Sequence, residues 1–244
     1  MNIYLARHGT TEWNSLRKIQ GRTDIMLDET GKEMARQTGI RLKDMGITFD
    51  HVFSSPLKRA YMTAKLICSP FAAEEENNSS KETLPDRVIN TDERITELCF
   101  GEFEGRKVDE MLNDSDCAFR YFKSDPKRYN AEISRLNTPE TLTAMLERTA
   151  GFIQEMIEPL VPAEANELSD ILISGHGAVN RALLMYFSGK NDLSDFWGNG
   201  LQPNCGITKI SCTRSDSGKI LYHVQDECMV FYDISLEKGL KKLL

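Results

Sequence analysis

Two histidines in this chain share one setting: a short apolar run, then the histidine, then a glycine. Ile3-Tyr4-Leu5-Ala6 leads into Arg7-His8-Gly9, and Ile171-Leu172-Ile173 leads through Ser174-Gly175 into His176-Gly177. Runs without polar alternation read as strands covered on both faces, as in a parallel sheet with helices on either side. Open sheets of that kind bind ligands beyond the carboxyl ends of their strands. The repeated setting therefore puts both histidines, and Arg7 with them, at the edge of the fold where function concentrates.

The rest of the chain alternates strand and helix, so the expected fold is α/β, a three-layer sandwich with a mainly parallel central sheet. Residues 10–27 read as a polar loop over the first strand's end. A helix is expected from Thr30, with Thr30 and Glu33 as a capping box, Met34, Leu42 and Met45 as its apolar stripe and Gly46 as its stop. A short strand, His51-Val52-Phe53, runs into Ser54-Ser55-Pro56. There Ser55 caps and Pro56 takes the first turn of a second helix with Leu57, Ala60, Tyr61, Ala64 and Ile67 inward. Arg59 then also lies just past a strand's carboxyl end. Residues 72–82 are polar and read as loop, and a third strand as Arg87-Val88-Ile89. Residues 106–137 break the alternation and read as a small helical cap. Thr138-Pro139 opens a long helix with Leu142, Met145, Leu146, Thr149, Phe152, Ile153, Met156 and Ile157 at helical spacing. A helix from Ala178 to Gly189 and strands at Ile207–Ser211 and Ile220–Val224 complete the pattern. With no internal repeat and no dividing linker, one domain over 1–244 is expected.

The balance of 30 basic against 37 acidic side chains, net −7, disfavours nucleic acid as a partner, since a duplex or strand demands a basic face. It leaves room for a small anion in a locally positive pocket. The six cysteines include no C-x-x-C pair and the histidines no zinc spacing, so reduced thiols in a cytoplasmic protein, without metal, are expected. No leader-like segment opens the chain and no apolar run reaches bilayer length, so no membrane association is expected.

If Arg7, His8, Arg59 and His176 converge, they form a pocket for a tetrahedral oxyanion. Guanidinium forks fit such an anion in bidentate fashion, and the first amides after His176, from Gly177 and Ala178, add donors at a positive helix end. Histidine is a competent nucleophile toward phosphorus. A carboxyl group must then protonate the leaving alkoxide and afterwards activate water. Glu97 is the candidate, with Glu93, Glu102 and Glu104 close by. His51 and His223 read as structural.

These segments together resemble the histidine phosphatase superfamily, the phosphoglycerate mutase-like family. LARHGTTEWN is similar to its opening R-H-G-x-T/S-x-x-N, and the resemblance implies that His8 is the nucleophile, with Arg7, Thr11 and Asn14 around the substrate. Gln20-Gly21 resembles the substrate-side Q/W-G position. SSPLKRAYMTA resembles S-S-x-L-x-R-A-x-x-T-A and implies Arg59 as a second phosphate ligand. ITELCFGEFEG resembles L-x-E-x-x-F-G-x-W-E-G and singles out Glu97 as proton donor. ISGHGAVNRALL matches the second histidine motif, with His176 as phosphate ligand, and the segment at Asn204 resembles a late N-x-x-I/V-T element. Ala178 and Asn180 depart from the pattern, which has a second glycine and an apolar residue there. Thr10 stands where the family's mutases carry Glu, and the surroundings of Glu97 lack their E-R-H-Y-G.

The expected function is thus a cofactor-free, metal-independent phosphomonoesterase acting on a small phosphorylated substrate. A phosphoglycerate mutase, or a silent phospho-ligand-binding module, is the alternative. Specificity should come from residues 10–27 and 106–137. Phe119, Tyr121, Phe122, Lys123, Arg128 and Tyr129 are expected to pack the cap onto the body, with contact to a sugar or aromatic leaving group as the alternative. Neither substrate nor oligomeric state is readable.

Overall fold

A computed structural model describes residues 1–75, 88–136, 138–163 and 169–237. In chain order the elements are β1 (Asn2–Arg7), a one-turn α1 (Glu12–Ser15), α2 (Glu29–Asp44), β2 (His51–Ser54), α3 (Lys58–Glu75) and β3 (Ile89–Thr91). The short helices α4 (Val108–Asn113), α5 (Tyr121–Ser124) and α6 (Pro126–Ile133) come next, followed by α7 (Leu142–Phe152), β4 (Asp170–Gly175), α8 (Gly177–Phe187), β5 (Ile207–Arg214) and β6 (Ile220–Met229).

The strands form one sheet in the order β3-β2-β4-β1-β5-β6. β3, β2, β4 and β1 run parallel, whereas β5 pairs antiparallel with β1 and β6 antiparallel with β5. The switch follows from connection length. The parallel strands are linked by helical crossovers, while a tight turn at residues 215–219 leaves β6 no option but the antiparallel partner.

Side-chain alternation divides the core into two layers. Ile3 and Leu5 of β1, Phe53 of β2 and Ile171 and Ile173 of β4 pack with α7, α8 and the segment 95–133. Tyr4, Ala6, Val52 and Leu172 point the other way, onto Met34, Ala35 and Leu42 of α2 and Ala64 and Ile67 of α3. A strand buried on both faces has no polar position to offer, which is why these runs look continuous in the sequence. Burying each large aliphatic side chain contributes roughly 1.5–3 kcal/mol.

Register then builds the functional edge. Arg7 pairs with Gly175 and Ser54 with Ser174, so β1, β2 and β4 end together. The next amides hold the staggered exit: His8 N donates to Gly175 O at 3.0 Å and Ser55 N to Ser174 O at 3.0 Å. Gly9 fills a close approach, because a Cβ there would strike the backbone carbonyl of Gly31 at 2.5 Å.

Several local expectations shift. Residues 10–27 contain a helical turn, capped by Thr11. The cap of α2 is Asp28, whose carboxylate accepts from Gly31 N, not Thr30, and Glu33 pairs with Gln37. Asp28 also accepts from Thr10 Oγ1, so tertiary contact fixes the helix start. Met45 and Tyr61 are exposed instead of inward. α3 begins at Lys58, because Asp24 from the preceding loop accepts from Lys58 N; Ser55 Oγ takes the Leu57 amide one residue earlier. α3 continues to Glu75, where loop was expected; residues 76–82 of that stretch lie outside the described residues, as do Arg87 of the expected third strand and position 137 at the end of the expected cap. β3 sits two residues later than expected, with Val88 exposed. Thr141 caps α7, and beyond Phe152 the helix continues as a π-turn, Ile153–Ile157. β4, β5 and β6 are longer than their apolar runs, since ladder bonds extend past the buried residues.

In the segment expected as a cap, Phe119, Phe122 and Tyr129 are buried. Phe122 lies edge-on to Phe100, Tyr129 and Trp197, with centroids at 5.2, 4.8 and 5.1 Å. These rings pack the segment onto the body, while Arg128 covers the Tyr121 ring at 3.8 Å nearer the surface. No helix among the described residues is long and apolar enough to cross a membrane, and among them no cluster of His, Cys, Asp or Glu suits a metal ion.

Candidate active site

β1 delivers Arg7 and His8, the first turn of α3 delivers Arg59, and the turn before α8 delivers His176. All four are buried. Arg7, His8, Gln20, Gly21, Arg59 and Glu97 line one cavity, together with Gly177 and Ala178. Its volume of about 40 Å³ compares with roughly 10–15 Å³ for a single water. His176 lies beside His8, ring centroids 5.2 Å apart.

The His8 ring has a defined tautomer. Its Nδ1 lies 2.7 Å from Gly9 O, and a carbonyl only accepts, so Nδ1 carries the proton. The lone pair of the neutral ring is then on Nε2. Burial first, then the charges of Arg59 and Arg7, hold His8 well below the usual histidine value, against the bond to Gly9. His176 is pushed the same way by burial, Arg59, His8 and Arg7, and both its ring nitrogens are buried without a protein partner.

The arginines are fixed through backbone carbonyls. Arg7 Nη1 donates to Gln202 O at 2.6 Å; Arg59 Nη1 and Nη2 donate to Thr23 O at 2.9 Å and Gly21 O at 2.6 Å. Each Nε is buried and unpartnered. Burial pushes both guanidinium groups down to about 10, with Glu97 opposing, so both stay charged at neutral pH. Two fixed cations, two orphan Nε–H donors and two neutral imidazoles surround a space whose one carboxyl group among the described lining residues is Glu97. Buried donors left unsatisfied are costly, and an anion with several oxygens satisfies them together.

Glu97 lies against the start of α8. Its Oε1 accepts from Leu98 N at 2.9 Å and Val179 N at 3.1 Å, and its Oε2 from Ala178 N at 3.2 Å. The Ala178 amide, expected to face phosphate, is thus directed at Glu97. Behind it, Arg148 donates to the carbonyls of Arg94, Thr96 and Glu97 and pairs twice with Glu140. This brace fixes the chain on which the carboxylate rides.

Other expected residues have structural partners. Thr11 and Asn14 bond each other, Thr11 N and Oγ1 both donating to Asn14 Oδ1 at 3.0 Å. Asn204 Nδ2 donates to the carbonyls of His8 and Gly9, bracing the His8 turn from outside the cavity lining. Gln20 is buried in the wall with Oε1 unpartnered, and a turn of its amide presents Nε2–H2 to an anion instead.

Sequence reasoning missed four supports. Gln202 holds Arg7 with its carbonyl, while its side chain bonds Leu5 O, Gly206 O and Asn180. Asn180, one of the departures from the motif, thereby joins α8 to β1 through Ala6 O. Glu104 clamps the amides of Arg22 and Thr23, and so the loop whose carbonyls hold Arg59. Thr63 accepts from Gly9 N and donates to Arg59 O, tying both phosphate corners together. The motifs contain Thr63 and Glu104, but nothing in their spacing tells a brace from a ligand.

A family profile described as "Histidine phosphatase superfamily (branch 1)" matches residues 3–224. The chain is 32% identical over 187 residues to "Uncharacterized phosphatase PhoE" of Bacillus subtilis, covering 77% of each. It is 30% identical over 218 residues to the 2,3-bisphosphoglycerate-dependent phosphoglycerate mutase of Treponema denticola, covering 79% of this chain and 80% of that one. A solved structure of phosphoserine phosphatase from Entamoeba histolytica in complex with 3-phosphoglyceric acid superposes with a TM-score of 0.66 at 25% identity, over 91% of this chain and 94% of that one. With fold, register and paired histidine corners agreeing with that match, this chain belongs to the histidine phosphatase superfamily.

Proposed function

We propose that the protein hydrolyses a phosphomonoester without a metal ion, through a phosphorylated His8. The observation that carries this reading is the bond from His8 Nδ1 to Gly9 O, which leaves Nε2 as the nucleophilic atom between two buried arginines. His8 Nε2 attacks phosphorus and the ester oxygen departs, taking a proton from Glu97. Water then attacks the phosphohistidine, Glu97 takes the proton back, the P–N bond breaks and inorganic phosphate leaves. Arg7, Arg59 and an N–H of His176 hold the phosphoryl oxygens, where charge spreads in the transition state. Gly177, Ala178, Gln20 and Gly21 complete the wall. We assign Thr11, Asn14 and Asn204 to positioning the His8 turn, and residues 106–137 to a cap within a single domain.

A mutase is the second reading, favoured by the 30% likeness to the Treponema enzyme. Against it stand Thr10, whose hydroxyl is occupied by Asp28, and the absence of E-R-H-Y-G around Glu97. Phosphate release from a panel of monoesters, with and without chelator, separates the readings. Chelator-resistant release that vanishes in His8→Ala supports the hydrolase. Conversion of 3- to 2-phosphoglycerate with little release supports the mutase. Phosphate binding without either reaction leaves a binding module.

A further inference from the structure

Besides its polar residues, the same cavity is walled by Ile19, Phe100, Phe122, Trp197 and Leu201. They come from four separate segments: the loop after α1, the segment after Glu97, α5, and the chain between α8 and β5. The wall is built in advance. Phe122 meets Phe100 and Trp197 edge-on at 5.2 and 5.1 Å, and Trp197 meets Phe196 at 5.2 Å. The indole Nε1–H is committed to Phe122 O at 2.7 Å, so Trp197 offers carbon to a ligand and no donor. Ring surfaces already locked by their neighbours cost little further ordering when a ligand packs on them.

The charged residues lining the cavity are Arg7, Arg59 and Glu97. Both arginines are directed at the phosphoryl group. The departing oxygen must face Glu97 to receive its proton, so the substituent on that oxygen lies between the Glu97 carboxylate and the aromatic wall. The nearby Arg22 is not among the lining residues; it pairs with Glu140 and donates to the Glu97 carbonyl. A carboxylate on the leaving group meets ring carbon and the Glu97 carboxyl there, and among the described residues the cations lining the cavity are the two arginines already given to the phosphoryl group.

We propose that this site selects phosphomonoesters whose leaving group is uncharged and presents a flat apolar face, and rejects leaving groups that carry a carboxylate beside the ester. The inference rests on the hydrolase reading and goes further, to the substrate class. A buried charge without a partner is a stronger discriminator than a lost apolar contact.

The test is kcat/KM for benzyl phosphate, glycerol 3-phosphate and 3-phosphoglycerate, three esters of primary or secondary alcohols with comparably poor leaving groups. The expected order is benzyl phosphate, then glycerol phosphate, then 3-phosphoglycerate, with about 10- to 100-fold between first and last. Trp197→Ala should collapse the ratio of the first two toward one. Leu201→Arg, a second route should the tryptophan variant not fold, should raise 3-phosphoglycerate relative to benzyl phosphate. Equal or better turnover of 3-phosphoglycerate by the unaltered protein overturns the proposal. If no ester releases phosphate, the hydrolase reading fails instead. Calorimetric titration of the His8→Ala protein with the same three esters then still reads the wall: tighter binding of benzyl phosphate upholds the selectivity, and tighter binding of 3-phosphoglycerate refutes it.

Discussion

The two histidine corners begin alike and end differently. Each follows a buried parallel strand and precedes a glycine, and register sets them side by side at 5.2 Å. His8 is tied through Nδ1 to the next residue's carbonyl and braced by Asn204 and Thr63 around Gly9. His176 has both ring nitrogens unpartnered, in a turn that leads straight into an eleven-residue helix whose first amides are directed at Glu97. One ring is oriented by protein and has one nitrogen left to attack; the other awaits a ligand to orient it. Equivalent sequence settings thus end in a tethered ring at one corner and an untethered ring, beside Glu97, at the other, the division on which the proposed roles of nucleophile and donor rest.

The sharpest way to break that division is to remove each ring. His8→Ala should lower kcat by about 10⁴-fold or more and abolish acid-labile phosphoenzyme, since His8 is the ring whose bond to Gly9 leaves Nε2 free and aimed for attack. Retention of a phosphorylated histidine in that variant, read by radiolabel or mass, transfers the nucleophile role to His176. Glu97→Gln tests the acid at the second corner. With alkyl esters it should cost about 10²- to 10⁴-fold, and clearly less with nitrophenyl phosphate, whose leaving group needs no proton. A uniform loss across both esters removes Glu97 from the proton transfer.

His176→Ala should cost less than His8→Ala, about 10²- to 10³-fold in kcat, with the phosphoenzyme still formed slowly. Loss as deep as that of His8→Ala makes the corners equivalent and ends the comparison. The smallest effect is on stability. Both histidines are held well below 6.5 in the fold, so as pH falls below that value the unfolded chain takes up protons the native state refuses. Stability is therefore full above pH about 6.5 and declines toward acid, by at most roughly 1.4 kcal/mol per pH unit for each ring. Urea melts between pH 7.5 and 5 should show a shallower decline for His176→Ala than for the unaltered protein; an identical slope contradicts the depressed value.

Much of the fold was legible because burial on both faces leaves an unbroken apolar run. The runs at Ile3 and Ile171 marked the central strands, and Leu142, Met145, Phe152 and Ile157 marked α7 by period alone. Element ends were less legible. Asp28 caps α2 because it also receives Thr10, and Asp24 starts α3 from a loop 34 residues upstream; local spacing favours the nearer Thr30 and Ser55. Within the site, the motifs point to Arg7, His8, Arg59 and Glu97, and these four line one cavity. The motifs did not reveal that Thr11, Asn14 and Asn204 hold backbone or one another, because ligands and braces share the same residue types.

The sequence by itself determined the chemistry on offer. It sets two of its four histidines and Arg7 at the ends of apolar runs that can only be buried, Arg59 at the start of a helix, and Glu97 within a recognisable motif. Tertiary structure decided how that chemistry is divided. What braces the His8 turn, which amides Glu97 occupies and which rings line the cavity depend on contacts between segments distant in sequence: Asn204 with His8, Gln202 with Arg7, Glu97 with Ala178 and Val179, and Trp197 beside Phe100 across Phe122. Such contacts have no period and no local propensity, so only the packed sheet edge reveals them.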